Sequence, residues 1–138
     1  MTNITKETAR SYSPLTLAFL GDSVYEVLVR QKIVLAGTLP PNKLHAACVK
    51  KVNAAYQSAA VGMIEPLLTE EEADILRRGR NANPNVPKSA SPADYRRATG
   101  LEALLGYLSL IGEDERIKEL FEVIYDGNFT SQKDSSMD

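Results

Sequence analysis

Two acids in this 138-residue chain, Asp22 and Glu102, sit in stretches where acids are costly. Asp22 interrupts "LAFLGDSVYEVLVR" (17–30), a segment apolar on nearly every side when wound as a helix, and Glu102 is the single charged residue of "ATGLEALLGYLSLIG" (98–112). An unpaired carboxylate taken into a core costs several kcal/mol, so each is expected to have a partner. Gly21 precedes Asp22, and Gly100 and Gly106 bracket Glu102. A glycine inside a helix costs about 1 kcal/mol relative to alanine, which points to helices in close contact. Two helices touching through these glycines would bring the acids together, and facing carboxylates repel unless they share a proton or a cation. Mg²⁺ accepts one or two protein carboxylates and completes its shell with water. A cation held in this way activates water against a phosphodiester. In the alternative, Asp22 and Glu102 each pair with a buried arginine or cap a neighbouring helix.

A second chemical signal is basic. Between Arg77 and Arg97 there are six bases (Arg77, Arg78, Arg80, Lys88, Arg96, Arg97) against one acid, Asp94, whereas 113–138 carries eight acids against three bases. A chain of net charge −2 can therefore present one basic face to a polyanion. Arg78, Arg80, Asn81, Lys88, Arg96 and Arg97 are the expected phosphate and 2′-hydroxyl contacts, with Asn83 and Asn85 interleaved and Lys50 extending the surface. Cys48 and Tyr95 read as structural, His45 as structural or RNA-facing, and Glu26 with Arg30 as a local i,i+4 ion pair.

The elements that must carry these residues read as helices throughout. Ser13-Pro14 starts one that runs to about Leu35, where Gly37 stops it. Beyond Pro40-Pro41 a second spans about Asn42 to Gly62. Thr69 followed by Glu70, Glu71 and Glu72 is a capping box that opens a third, ending near Gly79. "RNANPNVPKSASP" is a loop. Ser91-Pro92 starts a fourth that reaches about Ile111, and a fifth runs from Glu113 to Tyr125. The expected fold is all-α, with frayed ends at 1–11 and 127–138. The helix around Asp22 is expected to lie at the centre of the core.

Length and composition fit one domain with a real core: 43% hydrophobic and 25% charged residues. No apolar run approaches the ~20 residues of a membrane span, and the N-terminus lacks a signal-peptide core. One cysteine offers no intrachain disulfide, so a cytoplasmic location is expected.

"LAFLGDSVYEVLVR" resembles the signature helix of the ribonuclease III catalytic domain, and "ATGLEALLGYL" resembles that domain's second acidic helix. Together with "RRGRNAN", "YRRATGLEALLGYL" and the absence of a double-stranded-RNA-binding domain, the pattern is similar to the Mini-III branch of that family. The resemblance covers about Pro14 to Tyr125. It implies a catalytic domain over 12–126 that forms a homodimer, with Asp22 and Glu102 as catalytic and metal-binding residues for Mg²⁺, Mn²⁺ substituting. It also implies cleavage of double-stranded RNA, maturation of precursor large-subunit (23S) ribosomal RNA, and a ribosomal protein as a candidate accessory partner. The chain departs from the larger enzymes of the family at three acidic positions, where Leu15, Ala18 and Thr99 stand. Thr99 is expected to orient a water through its hydroxyl. The rival readings are a non-catalytic RNA-binding module and a helical metallohydrolase of small phosphorylated substrates.

Overall fold

A computed structural model describes residues 3–82 and 85–126. Among these the architecture is all-α: α1 (Lys6–Ser11), α2 (Pro14–Ala36), α3 (Pro41–Val52), α4 (Ala54–Ile64), α5 (Glu70–Arg80), α6 (Pro92–Leu110) and α7 (Asp114–Tyr125), with a 3-10 turn at Glu65–Leu67. Local chemistry sets the starts. The Ser13 hydroxyl accepts from Leu15 N–H and Ser91 from Asp94 N–H, each with proline at the head of the helix. The Thr69/Glu72 capping box is formed in both directions.

Three expectations are corrected. The segment expected to run as one helix from Asn42 to Gly62 is two, broken at Asn53. Its side-chain oxygen accepts from Tyr56 N–H while its amide donates back to Val49 and Lys50 carbonyls, so one residue ends α3 and caps α4. The N-terminal stretch is not frayed over Lys6–Ser11. Thr5 caps α1, Ala9 is fully buried, and Ile4 N–H donates to Leu110 O at 3.0 Å. Gly112, at φ +77°, turns the chain beside Asn3 just after α6. The third correction concerns the centre of the core. That place belongs to α6, which buries eleven residues between Ala98 and Ser109. α2 buries only the stripe Leu17, Ala18, Gly21, Tyr25, Val29 and Ile33. Its other face leaves Phe19 83%, Val27 53%, Val34 63% and Leu35 84% exposed. The tail expected to be flexible, 127–138, lies outside the described residues, as does Asn83.

α7 closes the bundle through Phe121, packed edge-on to Tyr25 at 6.0 Å, and through an ion pair with α5. Arg116 grips Glu72 with two charge-assisted hydrogen bonds, 2.9 and 2.8 Å, and also donates to Leu67 O. Burial alone would raise the Glu72 carboxyl; the Arg116 and Thr69 hydrogen bonds override it and hold the carboxyl below its ordinary range. Arg116→Met strands that buried carboxylate. It is expected to cost about 3 kcal/mol in urea unfolding, whereas Lys118→Met, on an exposed pair, is expected to change stability by under about 1 kcal/mol.

Candidate active site

Two glycines decide where the acids lie. A Cβ built on Gly21 would stand 1.6 Å from Glu102 O, and one on Gly106 would stand 1.9 Å from Leu17 O. α2 and α6 therefore cross backbone on backbone, which carries Asp22, one residue past the crossing, onto Glu102. Gly100 serves a different contact from the one expected. It meets α5, with Gly79 against Gly100 and Ala103, and sets the backbone of Arg80 beside the turn before Glu102.

The acids share a cleft of about 380 Å³ whose walls include Leu15, Ala18, Phe19, Val52, Tyr95 and Thr99. Asp22 is exposed on the cleft wall, contrary to the expectation of a buried aspartate, because α2 packs through one face only. Glu102 is the enclosed member. Burial first, then the charge of Asp22 and the hydrogen bond between the two carboxyls, push Glu102 up to about 8, opposed by a hydrogen bond from Gln57. Near neutral pH the pair thus holds one shared proton in place of two facing charges.

This donor set fits a hard divalent cation. It offers two carboxylate groups, an open side for water, and no histidine or cysteine among the lining residues. Among the described residues no group of three or more His, Cys, Asp or Glu could hold a metal, so any ion here would keep much of its water. Thr99 is buried in the cleft wall, and its hydroxyl donates to Tyr95 O at 2.9 Å. It can accept from a water in the cleft but has no proton left to give.

The expected RNA contacts fall into groups. Arg96 and Arg97 are exposed on the first turns of α6, upstream of Glu102 on the same helix, and Lys50 is exposed near the end of α3, whose Val52 lines the cleft. Arg80 and Asn81 lie at the C-terminal end of α5, and Lys88 is exposed in the following loop. Arg78 is partly committed elsewhere, donating to Arg10 O at 3.2 Å and tying α1 to α5. Of the minor readings, Glu26 pairs with Arg30 at 2.8 Å, Cys48 is buried and Tyr95 is half-buried in the cleft wall, whereas His45 is exposed on α3. Gln57 was not anticipated. It is 2% exposed and lines the cleft, and its signal was a lone amide within an alanine-rich helix.

The proton shared by the acids has a measurable consequence. Glu102 has a higher carboxyl pKa folded than unfolded, so its contribution to stability is full below about pH 4.5 and is lost as pH rises through about 8. Chelator-treated wild type is expected to lose melting temperature between pH 5 and pH 8 relative to Glu102→Gln, which keeps the neutral form throughout. Parallel curves for the two proteins would show that Glu102 carries no such shift.

An all-α domain with two carboxylates brought together at a crossing of helix backbones defines a class, and the sequence comparisons agree with it. The family model described as Ribonuclease III domain matches residues 15–113. Curated relatives called Mini-ribonuclease 3 include one from Thermoanaerobacter sp. (strain X514), 52% identical over 87% of this chain and 85% of its own. Another, from Symbiobacterium thermophilum, is 46% identical over 82% of this chain and 88% of its own. A crystal structure of a Fusobacterium nucleatum protein superposes with a TM-score of 0.79 at 36% identity, covering 86% of this chain and 97% of that one. The chain belongs to the ribonuclease III family, in its Mini-ribonuclease 3 branch.

Proposed function

We propose that this chain is a Mg²⁺-dependent endoribonuclease that cuts double-stranded RNA as a homodimer and matures precursor 23S ribosomal RNA in the cytoplasm. Family membership supports the reaction class: an endoribonuclease of the ribonuclease III type. The observation that carries the cation is the Gly21/Gly106 crossing, which sets Asp22 and Glu102 side by side at an open cleft. Both would hold the ion, which when bound supplies Lewis-acid activation of water and charge neutralisation at the phosphodiester. Asp22, exposed, presents its carboxylate to solvent and substrate. Glu102 gives up its shared proton when a cation replaces it. Thr99, as an acceptor, orients a water entering the cleft, while Arg96 and Arg97 beside it, with Arg80, Asn81, Lys88 and Lys50, hold phosphates and 2′-hydroxyls.

The dimer follows from strand count and from the uncovered side of α2. One chain carries one acidic pair, and cutting both strands of a duplex takes two. Phe19, Val27, Val34 and Leu35 are large apolar side chains exposed on one helix, and a second copy would cover them. Among the described residues no helix is long and apolar enough to cross a membrane.

The test offers one sequence as duplex RNA, single-stranded RNA and duplex DNA, with Mg²⁺ or EDTA, and weighs the protein by sedimentation. Cleavage of the RNA duplex alone, only with the cation and by a species of twice the chain mass, is the expected result. Attack on the single strand at equal rate would overturn the substrate reading. Binding without cleavage under every divalent condition would make the chain a binding module.

A further inference from the structure

Gln57 is the buried polar side chain at the acidic cleft for which the pair itself gives no role. Its amide orientation is fixed, because Nε2 donates to the Val52 carbonyl at 3.0 Å and only the nitrogen can do so. The same amide lines the acidic cleft beside Glu102 and stabilises its carboxylate as a donor. Gln57 thereby ties the last turn of α3 to the acid on α6, and Tyr25 reinforces that turn by donating from its hydroxyl to Lys51 O at 2.6 Å. Both terminal carbonyls of α3 are thus satisfied by side chains from neighbouring helices. Oε1 of Gln57 is buried and has no hydrogen-bond partner. An unmet buried carbonyl is destabilising, and an apolar residue of the same volume would remove that cost.

We propose that Gln57 is a positioning residue for the acidic pair: its amide holds the Glu102 carboxylate in the orientation that receives a divalent cation, and its free Oε1 accepts a hydrogen bond from a water in the cleft. This rests on reading the cleft as a cation site. The donor end is held in place by Val52 O and by the packing of a side chain only 2% exposed, so it faces Glu102 from a fixed point. The acceptor end supplies a fixed place for one hydration water, which the two carboxylates, as acceptors themselves, leave free to donate. Orienting groups of this kind typically change metal affinity by about 10–100-fold when removed.

The test is Mn²⁺ binding, read by electron paramagnetic resonance of the free ion, in wild type and in Gln57→Met, which keeps the volume and deletes donor and acceptor. The expected result is a dissociation constant raised about tenfold or more in a folded variant. Cleavage by that variant should need more Mg²⁺ for half-maximal rate but recover at saturation, a split that mere loosening of the fold would not give. Equal Mn²⁺ affinity in the two proteins overturns the proposal and leaves the cation site standing, whereas no Mn²⁺ binding by wild type overturns both. Should Gln57→Met fail to fold, wild type alone decides. The Gln57 side-chain amide resonances are expected to shift as Mg²⁺ saturates the cleft, and amide resonances that stay still refute the assignment.

Discussion

Gly21→Ala is expected to destabilise the protein by at least about 3 kcal/mol, at the upper end of overpacking effects. The new methyl would stand 1.6 Å from the Glu102 carbonyl oxygen and 2.9 Å from Gly106 N. Those are backbone atoms of a central helix, so no side-chain rotation relieves the clash. Only separation of α2 from α6 does, and that opens the most extensive helix pairing among the described residues. The gain of about 1 kcal/mol from helix propensity is far too small to offset it. Against the 5–15 kcal/mol of a typical domain, this is a large fraction of the whole. The molecules that remain folded are expected to lose cleavage too, because the separation pulls Asp22 away from Glu102. Gly62→Ala is the control: nothing lies within 4 Å of its added Cβ, and it sits in α4. It is expected to stabilise by about 0.5–1 kcal/mol in the same urea titration. If Gly21→Ala behaves like Gly62→Ala, the two helices do not meet as described.

Asp22→Asn and Glu102→Gln are each expected to lower double-stranded RNA cleavage by about a thousand-fold or more, several kcal/mol of transition-state stabilisation. Both changes keep the size of the side chain and remove the negative charge that a cation needs. RNA affinity is expected to survive, since the basic residues of α6, α5 and the following loop are untouched. Glu102→Gln also removes the repulsion between the acids, so the metal-free variant is expected to be the more stable protein near pH 8. A gain in stability with a loss of rate is the signature of a group held in place for chemistry. A variant that lost RNA binding together with cleavage would instead assign these acids a structural role.

What could be read in the sequence, and what could not, divides by the range of the interaction. Ser13-Pro14, Ser91-Pro92 and the Thr69/Glu72 capping box act within one turn, and the helices begin where they say. The glycines flanking the two acids showed that helices must touch, though not that Gly100 answers to α5 and only Gly106 to α2. The break at Asn53 escaped because alanines on both sides continue a helical pattern. Its two-way hydrogen bonding decides the matter, and that is a choice of side-chain geometry. The apolar character of both faces of α2 is visible in the sequence and points to burial in one core; within the chain, Phe19, Val27, Val34 and Leu35 stay in water. Asp22 is exposed for the same reason. The site's acids were legible because charge stands out in apolar helices. Gln57 was not, since an uncharged amide leaves no mark on the charge pattern, and its position beside Glu102 exists only once α4 packs on α6.

Whether Asp22 and Glu102 together hold one divalent cation is decided by titrating Mn²⁺ into the protein alone, without RNA, near pH 7.5. Wild type, Asp22→Asn and Glu102→Gln are compared, with bound metal and released protons counted. The expected result is one Mn²⁺ per chain in wild type, with proton release as Glu102 ionises and a sharp loss of affinity in both variants. Undiminished Mn²⁺ binding in either variant would contradict the claim, and so would RNA cleavage by a wild type that binds no ion at this pair.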